Sequence, residues 1–486
     1  MTDRMGPMHV IQPTICRGDI HQAATGLRMA GALLSACVWL LPVAAHAAPL
    51  NPQQTQAIDD SVQEWLASTG APSVSIAVVE EGVVAYARAY GKARLDPARI
   101  ATTDTRYAVD SVSKEFTASA ILMLQQAGKL QLDDPVSRFL PTLGGAPVGS
   151  VTIRQLLSHT AGLRDYWPQD YVPSEMIRPT STTALLDEWA RKPLDFKPGT
   201  DWQYSNTGYV VAGAIAEKLS GEALVPFLQA RIFQPLHMTH VVEDDTAPLP
   251  QSDAGAYTRY GMGPVRSATK EGRGWLFAAS ELAMTATDLA RWDVSLIDRS
   301  LLSGGSYEAL TRTVKLASGS DTHYGLGVEV QDDQGRREIS HDGAGSGFLA
   351  ANAIWPGAKV AVVALTNNDW ASPSAVIDRV AFVALPPTET EAPARSVFDD
   401  FQHGRIDRGR FTENANAYLT PAVLADQAAG LSALGPLRLM KLSHSSNRGG
   451  MRILVWSVTT TRARVTVVER TLPDGRIEQF MVTAPD

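Results

Sequence analysis

The feature that most constrains this chain is where its strand-like runs fall. SVSIAVVEEGVVAYARAYG, residues 73–91, reads as two strands about a turn at Glu81-Gly82. The next such runs are YGLGVEVQ, REISH, FLAANAIW and KVAVVAL, between about His323 and Leu365. From about residue 130 to 300 lie helical stretches and Pro/Gly loops, the clearest helices being VTIRQLLSHTAGL, NTGYVVAGAIAEKLSG and MTATDLARWDVSLI. Strands at both ends with helices between predict an α+β fold. One antiparallel sheet is built from both ends and flanked by helices, with a helical subdomain inserted. The flanking helices are a run from Pro52 to about Ser68, with Asn51 as N-cap, and VIDRVAFVAL.

Two further segments bracket this region. RMAGALLSACVWLLPVAAHAAP carries Arg28, an apolar run and a small-x-small site at Ala45-His46-Ala47, so residues 1–47 read as a secretory signal and the protein as secreted or periplasmic. The alternatives are an uncleaved anchor, against which the run's length and Pro42 argue, and lipidation of Cys37 in LSAC. The lead before Arg28 is long, so the start could also lie at Met5, Met8 or Met29. Both cysteines, Cys16 and Cys37, lie in this leader, which leaves residues 48–486 without a disulfide, a thiol nucleophile or a cysteine metal site. At the other end, residues 386–396 within LPPTETEAPARS read as a linker after a domain over 48–385. Residues 397–486 then read as helices followed by strands, with a hairpin at Asp474-Gly475: a small α+β domain that resembles the nuclear-transport-factor-2-like type. With 44% hydrophobic and 19% charged residues the chain is globular rather than disordered, and a net charge of −8 without a basic run argues against nucleic acid as a partner.

Chemistry enters at Ser-x-x-Lys, which occurs twice. Ser111 and Lys114 in SVSK open a run carrying Phe116, Ala120, Ile121 and Leu124 at helical spacing and ending at Gly128. Residues i and i+3 of a helix share a face, so a lysine there can reach the serine hydroxyl, which needs a base to become a nucleophile. The positive end of the helix dipole and burial both disfavour the protonated lysine. Ser267 and Lys270 in SATK lie in GPVRSATKEGRG, a loop of charges and glycines, and read as solvated. No Gly-x-Ser-x-Gly elbow and no His-Glu-x-x-His occurs, so neither an α/β-hydrolase nor a zinc peptidase is expected, and the reading calls for no metal and no cofactor.

SVSK at the head of an apolar helix resembles the penicillin-recognising serine hydrolases: class C β-lactamases, DD-peptidases and related esterases and D-aminopeptidases. Two further motifs of that family follow in order, Tyr204-Ser205-Asn206 in DWQYSNTGY and His341-Asp342-Gly343 in ISHDGAGSGF. A rival His323-Tyr324-Gly325 sits inside YGLGVEV, which looks like an ordinary core strand. The resemblance covers residues 52–385 and implies a β-lactamase/transpeptidase-like fold. It also implies an acyl-enzyme on Ser111, with Lys114 as base or electrostatic partner. Tyr204 would be a second proton carrier, its pKa lowered beside the lysine. Asn206 would bond both lysine and substrate, and His341 and Gly343 would line the substrate strand. The backbone N–H groups of Ser111 and Ala344 would form an oxyanion hole. His159 in LLSHTAGL reads as a structural hydrogen-bonder at a helix end, and Asp165, Tyr166, Trp167 and Tyr171 as lining of the site's mouth. The family's β-lactamases carry Lys-Thr-Gly where this chain has His-Asp-Gly. A histidine offers a carboxylate a charge only when protonated, and Asp342 should point to the strand's opposite face. The expected function is therefore an exported serine acyl-hydrolase acting on an ester or D-amino-acid peptide. A class C-like β-lactamase and a non-catalytic binder of wall peptides or β-lactams stand as alternatives.

Overall fold

A computed structural model describes residues 50–484 except Asp170 and Gln334. The readings of residues 1–47 as an export signal and of Cys37 as a lipidation site lie outside the described residues.

Helix α1 (Pro52–Thr69) opens on a reciprocal cap. Asn51 Oδ1 accepts from Gln54 N at 2.9 Å, and Gln54 Oε1 accepts from Asn51 N at 3.2 Å. Strands β1 (Ser73–Glu80), β2 (Val83–Leu95) and β3 (Ala98–Ile100) follow. Then come helices α2 (Ser113–Gln126), α3 (Ile153–Leu157), α4 (Asn206–Ser220) and α5 (Ala286–Asp298). The chain returns to the sheet as β4 (Glu329–Asp333), β5 (Arg336–Gly345), β6 (Phe348–Trp355) and β7 (Val360–Thr366), and closes with α6 (Ser374–Ala384).

The sheet runs β3-β2-β1-β7-β6-β5-β4, antiparallel at every step. Its two sequence halves meet at β1 and β7, where Val74 lies opposite Thr366 and Ala77 opposite Val363. Both strands are buried on both faces, which is why they read as continuous apolar runs. Val74, Ile76, Val78, Val360, Val362 and Ala364 pack with Trp65 of α1 and Val380 of α6. The alternate residues Ala77, Val79, Ala361, Val363 and Leu365 face the larger core, with Phe116 of α2 and Trp292 of α5. Burying each such Val, Ile or Leu contributes about 1.5–3 kcal/mol, so the β1–β7 seam is among the costliest places to truncate a side chain.

Helix α2 is the spine of the larger core. Every residue from Ser113 to Leu122 is buried, Lys114 and Glu115 included. YGLGVEVQ is less of a strand than its composition suggests, because β4 starts only at Glu329. The backbone is held too tightly for a pleat there: a Cβ on Gly325 would stand 2.1 Å from Leu310 O, and Gly327 adopts a φ of +83°.

The C-terminal part comprises α7 (Glu391–Gln402), α8 (Glu413–Tyr418) and α9 (Pro421–Ala433), then a meander of β8 (Leu437–Arg448), β9 (Met451–Thr460), β10 (Arg464–Thr471) and β11 (Ile477–Thr483). Residues 391–396, expected as linker, instead form the first half of α7. Pro393 falls in the first turn, where it costs no hydrogen bond, and Ala394 and Val397 are buried with Phe398 and Trp456. At the near edge of this sheet, Arg438 Nη2 on β8 reaches Glu64 Oε1 of α1 at 2.9 Å.

Candidate active site

Ser111 sits in a single 3₁₀ turn, Asp110–Val112, that leads into α2. Asp110 holds a φ of +44°, a left-handed conformation that carboxylate and amide side chains tolerate better than most. Strand β5 presses against this turn. A Cβ on Gly343 would stand 2.1 Å from Val109 O and 3.3 Å from Ser111 N, and one on Gly345 would stand 2.0 Å from Asp110 Oδ1. Glycine at 343 is thus what lets the backbone of β5, with Ala344 next in line, come up to the backbone of Ser111.

Lys114 is fully buried one turn on. Its Nζ donates to Ser111 Oγ at 3.0 Å, to Asn206 Oδ1 at 2.7 Å and to Ala279 O at 2.9 Å. Three acceptors saturate an ammonium, and Asp165 and Asp110 add favourable charge. Burial outweighs them and pulls the lysine down to about 7. A neutral lysine 3.0 Å from a serine oxygen is a base in position.

Asn206, the first residue of α4, is oriented from behind. Asp165 Oδ2 accepts from its Nδ2 at 3.1 Å and Asp165 Oδ1 from its backbone N at 3.2 Å, which turns the amide oxygen toward Lys114. Asp165 therefore braces the site and does not line its mouth. Tyr166 is likewise packed inward, its hydroxyl donating to Trp275 O, whereas Tyr171 is well exposed.

Tyr204 closes the group, its ring 4.9 Å from Lys114 Nζ and its hydroxyl interacting with Ser111. The expectation that the lysine would lower its pKa is overturned. Burial raises the phenol, Asp165 and Glu329 raise it further, and only the interaction with Ser111 pulls the other way. In the resting site the phenol is protonated and Lys114 is the group poised near neutrality.

His159 stacks on Tyr204, ring centroids 4.1 Å apart. Its Nδ1 accepts from Ser205 N at 3.1 Å, so Nε2 carries the proton, and burial holds the ring neutral. It bonds at a helix end as expected, and it also supplies a flat surface beneath the tyrosine. His341 is buried too. Its Nδ1 lies 2.7 Å from Asp342 O, a carbonyl that can only accept, so Nε2 accepts from the Tyr324 hydroxyl at 2.8 Å. Burial and the charge of Lys114 push its pKa down to about 3, so it offers no positive charge at neutral pH. Asp342 faces away, bonded by Ser374 Oγ at 3.2 Å.

The second Ser-x-x-Lys stays apart. Ser267 is exposed on a two-residue strand opposite Tyr257, and Lys270 Nζ pairs with Asp244 Oδ1 at 2.6 Å. Tyr324, read as a core-strand residue, is a functional neighbour that sequence reasoning missed. Its signal was the very His-x-Gly motif set aside as a rival, whose central residue meets His341. Among the described residues no group of three or more His, Cys, Asp or Glu could hold a metal ion.

The structure thus brings half-buried Ser111 and buried Lys114, at the head of the central helix, together with Tyr204, Asn206 and the edge of a strand on an α+β sheet. The chain belongs to the family described as Beta-lactamase, whose model matches residues 58–383, a family of serine hydrolases. It is 27% identical over 428 residues to "Penicillin-binding protein 4*" of Bacillus subtilis (strain 168), covering 80% of this chain and 89% of that protein. Among solved structures it is similar to a D-stereospecific amidohydrolase from Streptomyces sp., with 26% identity, a TM-score of 0.58, and 66% of this chain and 97% of the other covered. An octameric penicillin-binding protein homologue from Pyrococcus abyssi shares the fold over 89% of this chain and 96% of its own, with a TM-score of 0.60 and 21% identity.

Proposed function

We propose that this chain is an exported serine acyl-hydrolase that cleaves amides or esters of D-amino acids through an acyl-enzyme on Ser111. The hydrolase domain is residues 48–385, and the signal is residues 1–47. The observation that carries the reading is Lys114, buried, 3.0 Å from Ser111 Oγ and brought down to about 7. Neutral Lys114 takes the Ser111 proton as Oγ bonds the substrate carbonyl carbon. The backbone N–H groups of Ser111 and Ala344 stabilise the oxyanion, helped by the dipole of α2. Collapse breaks the bond to the leaving group, which takes a proton from the protonated Tyr204, and Lys114 reprotonates the phenol. Water then attacks the acyl-enzyme and gives one proton to Lys114 through the same relay; the Oγ–acyl bond breaks to release the acid, and Lys114 returns that proton to Ser111 Oγ.

Charge selects the substrate class. His341 and His159 are neutral, Asp165 and Glu329 lie near Tyr204, Lys114 has its three donor directions taken, and Lys270, whose charge reaches Asp110, is paired with Asp244. Such a site favours neutral or amine-bearing acyl groups over the free carboxylate that penicillins and wall-peptide termini present. The likeness to the D-stereospecific amidohydrolase supports this choice over a class C-like β-lactamase. The test is to follow a D-amino-acid amide, its L-isomer, a p-nitrophenyl ester and a fluorescent penicillin with wild type and Ser111→Ala. Turnover of D-amide and ester with slow or no lactam turnover is expected. Rapid lactam hydrolysis would reverse the substrate assignment, and lactam binding without turnover of anything would make the protein a binder.

A further inference from the structure

The C-terminal part holds a cavity of about 760 Å³ between α8, α9 and the far edge strand β11. That is the size of a small-molecule site, which typically encloses roughly 300–1,000 Å³. Its walls are mainly apolar, from Phe411, Leu419, Leu431, Val465 and Phe480. Two polar atoms stand in this wall without partners: Arg470 Nε and Gln427 Oε1 are both buried and make no hydrogen bond among the described residues. Arg470 forms no ion pair among the described residues either. The nearby Glu478 is already engaged, its carboxylate accepting from Thr412 Oγ1 and Asn414 Nδ2. Arg470 is half-buried and its Nε is enclosed in this wall without a partner among the described residues; a carboxylate is the group a guanidinium fork fits best.

We propose that this chamber binds a small, mostly apolar carboxylate, its acid group on Arg470 and its hydrocarbon or aromatic body among the five apolar walls. Exposed Tyr418 and Met481, both on the lining, form the mouth. The site is separate from Ser111: no residue of the catalytic group lines it.

Gly430 provides a clean blocking variant. It lines the chamber from α9, and a Cβ there meets nothing within 4 Å, so Gly430→Phe can grow into free space while improving helix propensity. The experiment is calorimetric titration of the full chain with dodecanoate, dodecanol and dodecyltrimethylammonium, with ester turnover at Ser111 and melting temperature as controls. The expected result is that dodecanoate binds wild type at least about tenfold more tightly than either partner probe. Arg470→Gln should remove that preference while dodecanol binding changes less than about threefold, and Gly430→Phe should abolish binding of both, with ester turnover unchanged in each variant. The proposal is overturned if the three probes bind equally or not at all. A preference for dodecanoate that survives Arg470→Gln, or dodecanoate binding that survives Gly430→Phe, places the acid elsewhere on the chain and overturns it equally.

Discussion

Lys114 and Glu115 are neighbours on one helix, equally buried, and opposite in almost every other respect. Lys114 faces the catalytic group and has an acceptor for each of its three protons. Glu115 faces the space beneath the sheet. One oxygen accepts from Trp292 Nε1, and Asn352, which bonds Asp293 close by at 2.8 Å, also interacts with the carboxyl. Burial brings both to about 7 from opposite directions, the lysine down and the carboxyl up. Equal burial thus leaves one as the proposed base and the other as a carboxylic acid locked in the core. What separates them is access to Ser111.

The largest expected effect lies on the Lys114 side. Lys114→Met keeps the volume and removes the base, and ester kcat should fall by about 10³-fold or more with the fold intact, as should Ser111→Ala. In wild type, kcat/KM should rise with pH through about 7 as Lys114 loses its proton. If Lys114→Met retains a tenth of the activity, the lysine is not the base.

Stability should divide the pair next. The raised Glu115 pKa means the folded state binds the extra proton, so its contribution is present at low pH and is lost as pH rises from about 4.5 through about 7. The depressed Lys114 pKa has the reverse sense: its contribution is present above 10.5 and is lost as pH falls toward about 7. Urea midpoints across pH should therefore show a dip near 7 from these two groups. Glu115→Gln, a neutral isostere, should flatten the acid side and stabilise the protein at pH 8 by about 2 kcal/mol, with ester turnover within about twofold. Lys114→Met should flatten only the alkaline side. Identical pH profiles in the two variants would dissolve the distinction.

Much of this layout was legible in residue order. Continuous apolar runs at residues 74–79 and 360–366 are what a strand buried on both faces requires, and helices between them leave few ways to close a sheet. Ser111 and Lys114 were legible because their contact is local. The partners of Asp165, His159 and Tyr324 were not, since each acts on a residue brought to it by folding: Asn206, Tyr204 and His341. The sense of the Tyr204 shift was misjudged for a related reason. A nearby lysine can be inferred from motifs, but the degree of burial depends on what else packs around the ring, and burial is the larger effect here. The linker was misread because a Pro/Glu-rich opening hid the apolar face of α7.

A smaller effect separates bracing from chemistry. Asp165 supports the charged form of Lys114 and fixes the Asn206 amide. Asp165→Asn removes the charge while keeping the shape, so the Lys114 pKa should drop further and the acid limb of kcat/KM should move to lower pH. The maximum rate should fall by about tenfold as Asn206 loosens. A limb that stays in place would mean that another group sets it.

The smallest effect belongs to Tyr324. It donates to His341 Nε2 at 2.8 Å in a wholly buried setting, and His341 is neutral from its pKa of about 3 upward. Tyr324→Phe deletes that one donor and leaves an imidazole nitrogen unsatisfied, a cost of about 1–3 kcal/mol in stability. Because His341 carries no proton that the reaction needs, kcat and the shape of its pH profile should barely change. KM should rise about threefold as the ring loses its fixed orientation along β5. A new ionisation near 6 in the profile of this variant would show that Tyr324 is what keeps His341 neutral, and that the site's preference against carboxylates rests on one phenol.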